Sequence, residues 1–206
     1  MRFSSIKTAS LGALLIFTLG ACGGSDSDPF SGGTTTLFSS SNRTLFQDSS
    51  ADPGTDGLRM GDTANDVAMR LGLRFTLIDP LGLTPAADDV ESVTLQLRQT
   101  RVVGAPYAAF GAAVVDRADF GLTLGSGDFA PTVLATSVGA LMSDGTPGVL
   151  QVDVTAAVVA ALRAGSLTSD LLVRFPTSSV DAAAQYAEFE RATGNGDGPI
   201  LLIRSR

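Results

Sequence analysis

Apolar residues recur at every second position in segment after segment of this chain. Leu71, Leu73, Phe75 and Leu77 alternate with Arg70, Gly72, Arg74 and Thr76, and Val93, Leu95 and Leu97 alternate with Thr94, Gln96 and Arg98. Leu150, Val152 and Val154 enclose Gln151 and Asp153, while Leu171, Val173 and Phe175 enclose Arg174. A period of two sends alternate side chains to opposite faces of a strand, so each segment predicts one face toward a core and one toward water. That is the pattern of antiparallel sheets packed face to face. Turn-forming strings separate the segments: Asp52-Pro53-Gly54, Asp79-Pro80-Leu81-Gly82, Asp144-Gly145 and Asn195-Gly196-Asp197-Gly198. The expected fold is all-β, an antiparallel β-sandwich of jelly-roll type.

Further strands are predicted at Thr44 to Asp48, Leu58 to Met60, Tyr107 to Asp116, Phe120 to Leu124, Gln185 to Glu190 and Ile200 to Arg204. One short helix is expected among them, over Ala156 to Ala164. Thr155 would cap it, Val158, Val159 and Leu162 share a face, and Gly165 supplies a left-handed stop. Residues 125–148 are rich in Gly, Ser and Ala, and their pattern assigns them to no element. No internal repeat is visible.

The amino-terminal segment follows a different rule. Arg2 and Lys7 precede an apolar run from Leu11 to Leu19, and small residues follow it, as in a secretory signal. The run falls short of the roughly 20 apolar residues a spanning helix needs. Leu19-Gly20-Ala21-Cys22 resembles the lipobox of bacterial lipoproteins. The resemblance implies cleavage before Cys22, diacylglycerol on its sulfur, and anchorage to a membrane through that lipid. Lasting attachment takes two or more acyl chains. Gly23 follows the cysteine, which in a Gram-negative cell favours sorting to the outer membrane. Residues 22–36 are mostly Gly, Ser, Asp, Pro and Thr, and read as a flexible tether of roughly 20 Å reach. The expected organisation is a signal peptide over 1–21, this tether, and one sandwich domain over 37–206.

Charge and composition remove many activities. Without Arg2 and Lys7, the 14 basic residues fall to 12 against 21 acidic ones, a net of −9. Nucleic acid is therefore not an expected partner, because phosphate binding needs a basic stripe. The chain has no histidine, Lys7 is its sole lysine and Cys22 its sole cysteine. Triads built on imidazole, zinc sites with His ligands, Schiff bases, disulfides and thiol chemistry all drop out. There is no phosphate-binding glycine loop and no expected cofactor. Carboxylate chemistry and hard-metal binding through oxygen survive.

With the strands placed, the domain resembles the DNRLRE-type β-sandwich domains, which are related to carbohydrate-binding module family 96. Arg70-Leu71-Gly72-Leu73-Arg74-Phe75 is similar to that family's Arg-x-Leu-Leu-Arg-Phe strand, and Val90 to Leu97 to the strand that follows it. Val152-Asp153-Val154-Thr155 with its helix, Phe189-Glu190-Arg191, and Pro199 to Ile203 complete the likeness, in order, over about residues 44–204. Thr76 stands where the family commonly has Asp, and the family's Trp-containing middle segment has no counterpart. The resemblance implies the sandwich fold and points toward polysaccharide as a ligand class.

Strand alternation nominates a ligand face. Arg70, Arg74, Arg98 and Arg174 should point outward, with Gln96 beside Arg98 and a low spot at Gly72. Guanidinium groups gathered in this way suit carboxylate-bearing sugars. The simpler alternative is a solvated face of Arg–carboxylate pairs involving Asp153, Glu188 or Glu190. Tyr107 and Tyr186 are the rings with a polar edge that a sugar stacks on. Asp48, Asp52, Asp56, Asp62 and Asp66 crowd one stretch, and they and Asp197 are oxygen ligands of the kind structural Ca2+ takes, although not at EF-hand spacing. Solvated turns are the simpler alternative for these too. No catalytic residue is nominated. The expectation is a non-catalytic, lipid-anchored envelope module that binds polysaccharide or an envelope protein. Its rivals are a purely structural envelope protein and a carboxylate-dependent enzyme acting on glycans.

Overall fold

The computed structural model describes residues 32–52, 57–79, 81–177, 183–192 and 198–206. In chain order the elements are β1 (Thr34–Phe46), β2 (Leu58–Asp62), β3 (Ala68–Thr76), β4 (Val90–Val103), α1 (Pro106–Phe110), β5 (Ala113–Asp119), β6 (Thr132–Leu141), β7 (Gly148–Asp153), α2 (Thr155–Arg163), β8 (Thr168–Arg174), β9 (Gln185–Phe189) and β10 (Ile200–Ser205). Every strand pairing is antiparallel. The expected all-β sandwich is what the chain forms.

Two corners join its layers. β1 pairs with β10 over Thr34 to Phe38, then with β3 from Ser39 to Phe46, changing sheets at a bulge between Ser39 and Ser41. At the other corner β2 lies between β3 and β9, and β9 runs on beside the end of β4. The hydrogen-bonded order is β1-β10-β4-β9-β2-β3-β8-β5-β6, with β7 on the far side of β4. The inward residues of β3 and β8 (Leu71, Leu73, Phe75, Leu171, Val173) meet those of β4 and β10 (Val93, Leu95, Leu97, Leu201, Ile203) in one core. All ten are at most 1% exposed. Each large side chain buried in this way contributes about 1.5–3 kcal/mol relative to exposure.

Several elements differ from their sequence expectation. β1 begins at Thr34, inside the stretch read as tether, and ends at Phe46; its Ser- and Thr-rich first half carries too few apolar residues to announce a strand. The stretch from Tyr107 to Asp116 is not one strand. Gly104 at φ 68° turns the chain, Pro106 at the first turn starts α1, and Gly111 at φ 81° ends it before β5. α1 packs on the end of the core, with Tyr107 edge-on to Phe175 at 5.3 Å and Phe110 also at 5.3 Å from that ring. Phe120 to Leu124 is loop, although its apolar residues alternate: the Asp119 carboxylate accepts the Gly121 N–H, and Leu122 is 99% exposed. Residues 132–141, unassigned from sequence, form the edge strand β6.

α2 forms where a helix was expected, and Gly165 at φ 69° ends it. Thr155 does not cap it through its side chain. Its hydroxyl instead accepts the Val93 N–H at 2.8 Å, tying the helix start to β4, while Asp153 Oδ1 accepts the Thr155 N–H. Among the described residues, no helix is long and apolar enough to cross a membrane. Cys22, the signal segment and the tether to residue 31 lie outside the described residues.

Candidate functional site

Arg70, Gly72 and Arg74 do point away from the core, but their face is not open to water. The β5–β6 connection, residues 120–131, folds over it. Phe120 and Leu124 join Leu45, Ala118 and Leu172 in a second apolar cluster, with Phe129 packed against it. The low spot at Gly72 is filled: a Cβ there would meet Leu124 Cδ1 at 2.7 Å and Leu45 Cδ1 at 3.0 Å. Gly72 is thus small so that Leu124 can sit above the sheet, a reason invisible before the loop is placed.

The arginines hold this cover down. Arg74 donates Nε and Nη2 to the two oxygens of Asp170, at 2.7 and 2.6 Å, and donates to the carbonyls of Leu122 and Gly121. The Asp170 hydrogen bonds raise the Arg74 pKa further above its ordinary value. Asp170 also accepts the Phe120 N–H at 3.1 Å. Arg70 lies 4.1 Å over the Phe129 ring and donates to the Phe129 carbonyl at 2.8 Å. Arg174 Nε donates at 2.7 Å to Asp116, whose other oxygen accepts the N–H of Ser137 in β6. Ser137 has φ 51°, within the irregular stretch of β5–β6 pairing.

The five nominated ligand residues divide between two faces. Arg70, Arg74 and Arg174 share the outer face of β3 and β8, as predicted for neighbouring strands. Gln96 and Arg98 lie on β4, in the other layer, where Gln96 stands between Ile200 and Gln151. Arg98 is 66% exposed and 3.7 Å from Glu190. A single four-arginine cluster does not form, because β3 and β4 belong to opposite layers.

Neither tyrosine offers a bare ring. Tyr107 packs on Phe175 and donates its hydroxyl to Gln99 Oε1 at 2.6 Å; burial pushes its pKa to about 12. It lines a cleft of about 530 Å3 with Pro106, Met142 and Ser143. Tyr186 has Arg59 and Arg101 against its ring at 5.4 and 5.7 Å, and its hydroxyl accepts from Arg101 at 2.7 Å. Glu188 joins both guanidiniums, at 3.0 and 3.4 Å. This cluster was missed in the sequence, where Arg59 and Arg101 sit in unrelated segments and only the register of β2, β9 and β4 brings them together.

The calcium candidates are dispersed. Asp52 receives Arg191 Nη2 at 2.6 Å and the Thr44 N–H at 2.9 Å. Asp48 closes its own turn by accepting the Ser50 N–H, and these hydrogen bonds hold its pKa below the ordinary carboxylate value. Asp62 is buried in β2, and Asp66, at φ 56°, closes a turn by donating its N–H to the Thr63 carbonyl. Asp56 and Asp197 lie outside the described residues. Among the described residues no three His, Cys, Asp or Glu side chains converge on a metal position.

Two small pockets touch the arginines: one of about 120 Å3 is lined by Arg70, Arg174, Gln47, Phe129, Phe175 and Thr177, and one of about 170 Å3 by Arg74, Arg117, Asp119 and Asp170. A comparison with known protein families finds no family model that matches this chain, and a comparison with curated proteins finds no match.

Proposed function

We propose that this chain is a lipid-anchored protein of the bacterial envelope that binds a ligand and catalyses nothing. The observation that carries this reading is the commitment of its carboxylates. Composition leaves Asp and Glu as the available catalytic groups, and the most buried of them are engaged: Asp52 with Arg191, Asp116 with Arg174, Asp170 with Arg74, and Glu188 with Arg59 and Arg101. Asp62 is engaged as well. A carboxylate whose oxygens are taken by guanidinium and backbone donors is held in place by them, which suits a scaffold more than a group that must reach a substrate. The lipobox at Cys22 supports the anchor, and Gly23 supports the outer membrane as its destination. The likeness to DNRLRE-type domains supports polysaccharide as the ligand class.

A purely structural envelope role is the competing reading, and the loop over the β3–β8 face favours it by covering most of the surface first nominated for a ligand. Two measurements separate the readings. Mass analysis of the membrane-extracted protein should show acyl mass on Cys22, and Cys22→Ser should release the protein from the membrane; wild type without acyl mass overturns the anchor. Glycan-array binding of the full chain supports a binding module, and an array with no signal favours the structural role.

A further inference from the structure

Every exposed leucine among the described residues lies toward one end of the sandwich, the end from which the chain runs back to Cys22. Leu81 is 74% exposed, Leu122 99% and Leu167 55%, and Leu83 and Leu134 are exposed as well. Strand register brings these separate segments together. β3 ends at Thr76 opposite Thr168, where β8 begins; two residues along β8, Asp170 pairs with Ala118 near the end of β5. β5 in turn ends at Asp119 opposite Thr132, where β6 begins. The loops after β3, after β5 and before β8 therefore leave the layer side by side, and the Leu77 N–H donates to the Leu167 carbonyl. Gly121, Leu134, Ser166 and Thr168 share the lining of one pocket, which joins the loops to the start of β6. The Gly32 N–H donates to the Arg206 carbonyl and the Arg206 N–H to the Asp89 carbonyl, while Arg163 reaches Asp88 at 3.0 Å. The residue nearest the anchor is thus tied to the loop that carries Leu81 and Leu83.

These leucines are held out by turns whose own backbone groups are engaged. Asp79 accepts the N–H groups of Leu81 and Leu83 at 2.9 and 2.8 Å, and its N–H donates to the Leu83 carbonyl. Arg74 donates to the Leu122 carbonyl. Backbone groups paired in this way cost less to take out of water, which is the condition for entering a lipid interface. Part of the negative charge at this end is neutralised in place, Asp88 by Arg163 and Glu91 by Arg204. Length decides which end faces the bilayer. Gly32 lies ten residues beyond Cys22, a stretch that reaches at most roughly 36 Å. β4, whose 14 residues run from this end to the other, spans about 43 Å. An anchor at Cys22 therefore cannot pass back along the sandwich to set its far end on the membrane. We propose that the leucine-bearing end docks on the lipid bilayer, with Leu81, Leu122 and Leu167 entering the boundary between headgroups and acyl chains. This rests on the reading of Cys22 as a lipid anchor and gives the anchored domain an orientation.

The chain has no tryptophan, so a single introduced one reports on its own position. Leu122→Trp is compared with Met142→Trp, just past the other end of β6, in the full lipidated chain reconstituted into phosphatidylcholine vesicles with brominated acyl chains. Both positions are exposed, so neither substitution touches the core. The expected result is a blue-shifted emission for Leu122→Trp, quenched by the brominated lipid at least threefold more strongly than that of Met142→Trp. Adding Leu81→Ser and Leu167→Ser to Leu122→Trp should remove at least half of that quenching with the thermal midpoint unchanged. Equal quenching at the two positions, with acyl mass present on Cys22, overturns the docking and leaves the anchor standing. Wild type without acyl mass overturns the anchor and the docking with it. A dimer in detergent that Leu122→Ser dissociates assigns the leucines to a second copy of the chain and overturns the docking.

Discussion

Arg74 and Asp170 meet through two near-parallel contacts, 2.7 and 2.6 Å long, with their side chains only 12% and 7% exposed. The pair links β3 to β8 and anchors the first turn of the covering loop through the carbonyls of Gly121 and Leu122 and the N–H of Phe120. Removing one partner strands the other charge in a low-dielectric site. Arg74→Ala should therefore lower the unfolding free energy by about 3–5 kcal/mol, measured by urea denaturation. Arg74→Lys should recover little, since an ammonium cannot reproduce the planar fork. A loss below about 1 kcal/mol for Arg74→Ala would mean that the loop is held by its apolar contacts alone.

Arg98 looks equivalent to Arg74 in sequence, at the same phase of an alternating strand, but its surroundings differ. Its contact with Glu190 is 3.7 Å long and its side chain 66% exposed. Such a pair is screened by water and salt, so Arg98→Ala should change stability by no more than about 0.5 kcal/mol in the same urea assay. An effect comparable to that of Arg74→Ala would show that the outer face of β4 is covered in solution.

Gly72 lies beneath Leu124, and a methyl group at position 72 would approach Leu124 Cδ1 to 2.7 Å. Since that atom is the end of a side chain on a loop, the loop rises before the sheet deforms. Gly72→Ala should cost about 1–3 kcal/mol as an overpacked site. Leu124→Ala alone removes a side chain that is 8% exposed and should cost about 2–5 kcal/mol. In the double variant the new methyl occupies space that Leu124 has vacated, so the two costs should sum to more than the measured total. A double-mutant cycle gives that coupling directly, and strict additivity would separate the two positions.

The alternation of Leu71, Leu73 and Phe75, and of Val93, Leu95 and Leu97, was sufficient to place the core, because burial between two sheets selects one phase of each strand. The ligand face was read less well. Period two says that Arg70 and Arg74 leave the core, but not what lies above them, and the loop that covers them repeats the same alternation in Phe120, Leu122 and Leu124. Only Leu122 of these three faces water. Long-range pairing was equally hidden: Asp52 meets Arg191, and Asp116 meets Arg174, across separations that no local pattern encodes. α1 was missed because two glycines at positive φ and Pro106 override the β-like run of Val114 and Val115 that follows.

Tyr107 couples the end of the sandwich to pH. Its hydroxyl donates to Gln99 Oε1, and Gln99, 1% exposed, donates its amide to Ser143 Oγ at 3.0 Å and to the Thr146 carbonyl at 2.8 Å, so one buried network joins α1, β4 and the β6–β7 turn. Burial raises the Tyr107 pKa from 10.0 to about 12. Between those values the folded chain keeps a proton that the unfolded chain has lost, so stability is full below pH 10 and declines as pH rises toward 12. With a partly exposed ring, the loss should be on the order of 1–2 kcal/mol. Urea denaturation of wild type and Tyr107→Phe at stepped pH gives the difference, and phenolate absorbance in Tyr186→Phe isolates the ionisation of Tyr107. Tyr107→Phe should be less stable at neutral pH by about 1–3 kcal/mol, since Gln99 loses its donor, and the gap should narrow above pH 10. A gap that stays constant to pH 12 would place the Tyr107 hydroxyl in water and remove it from the network.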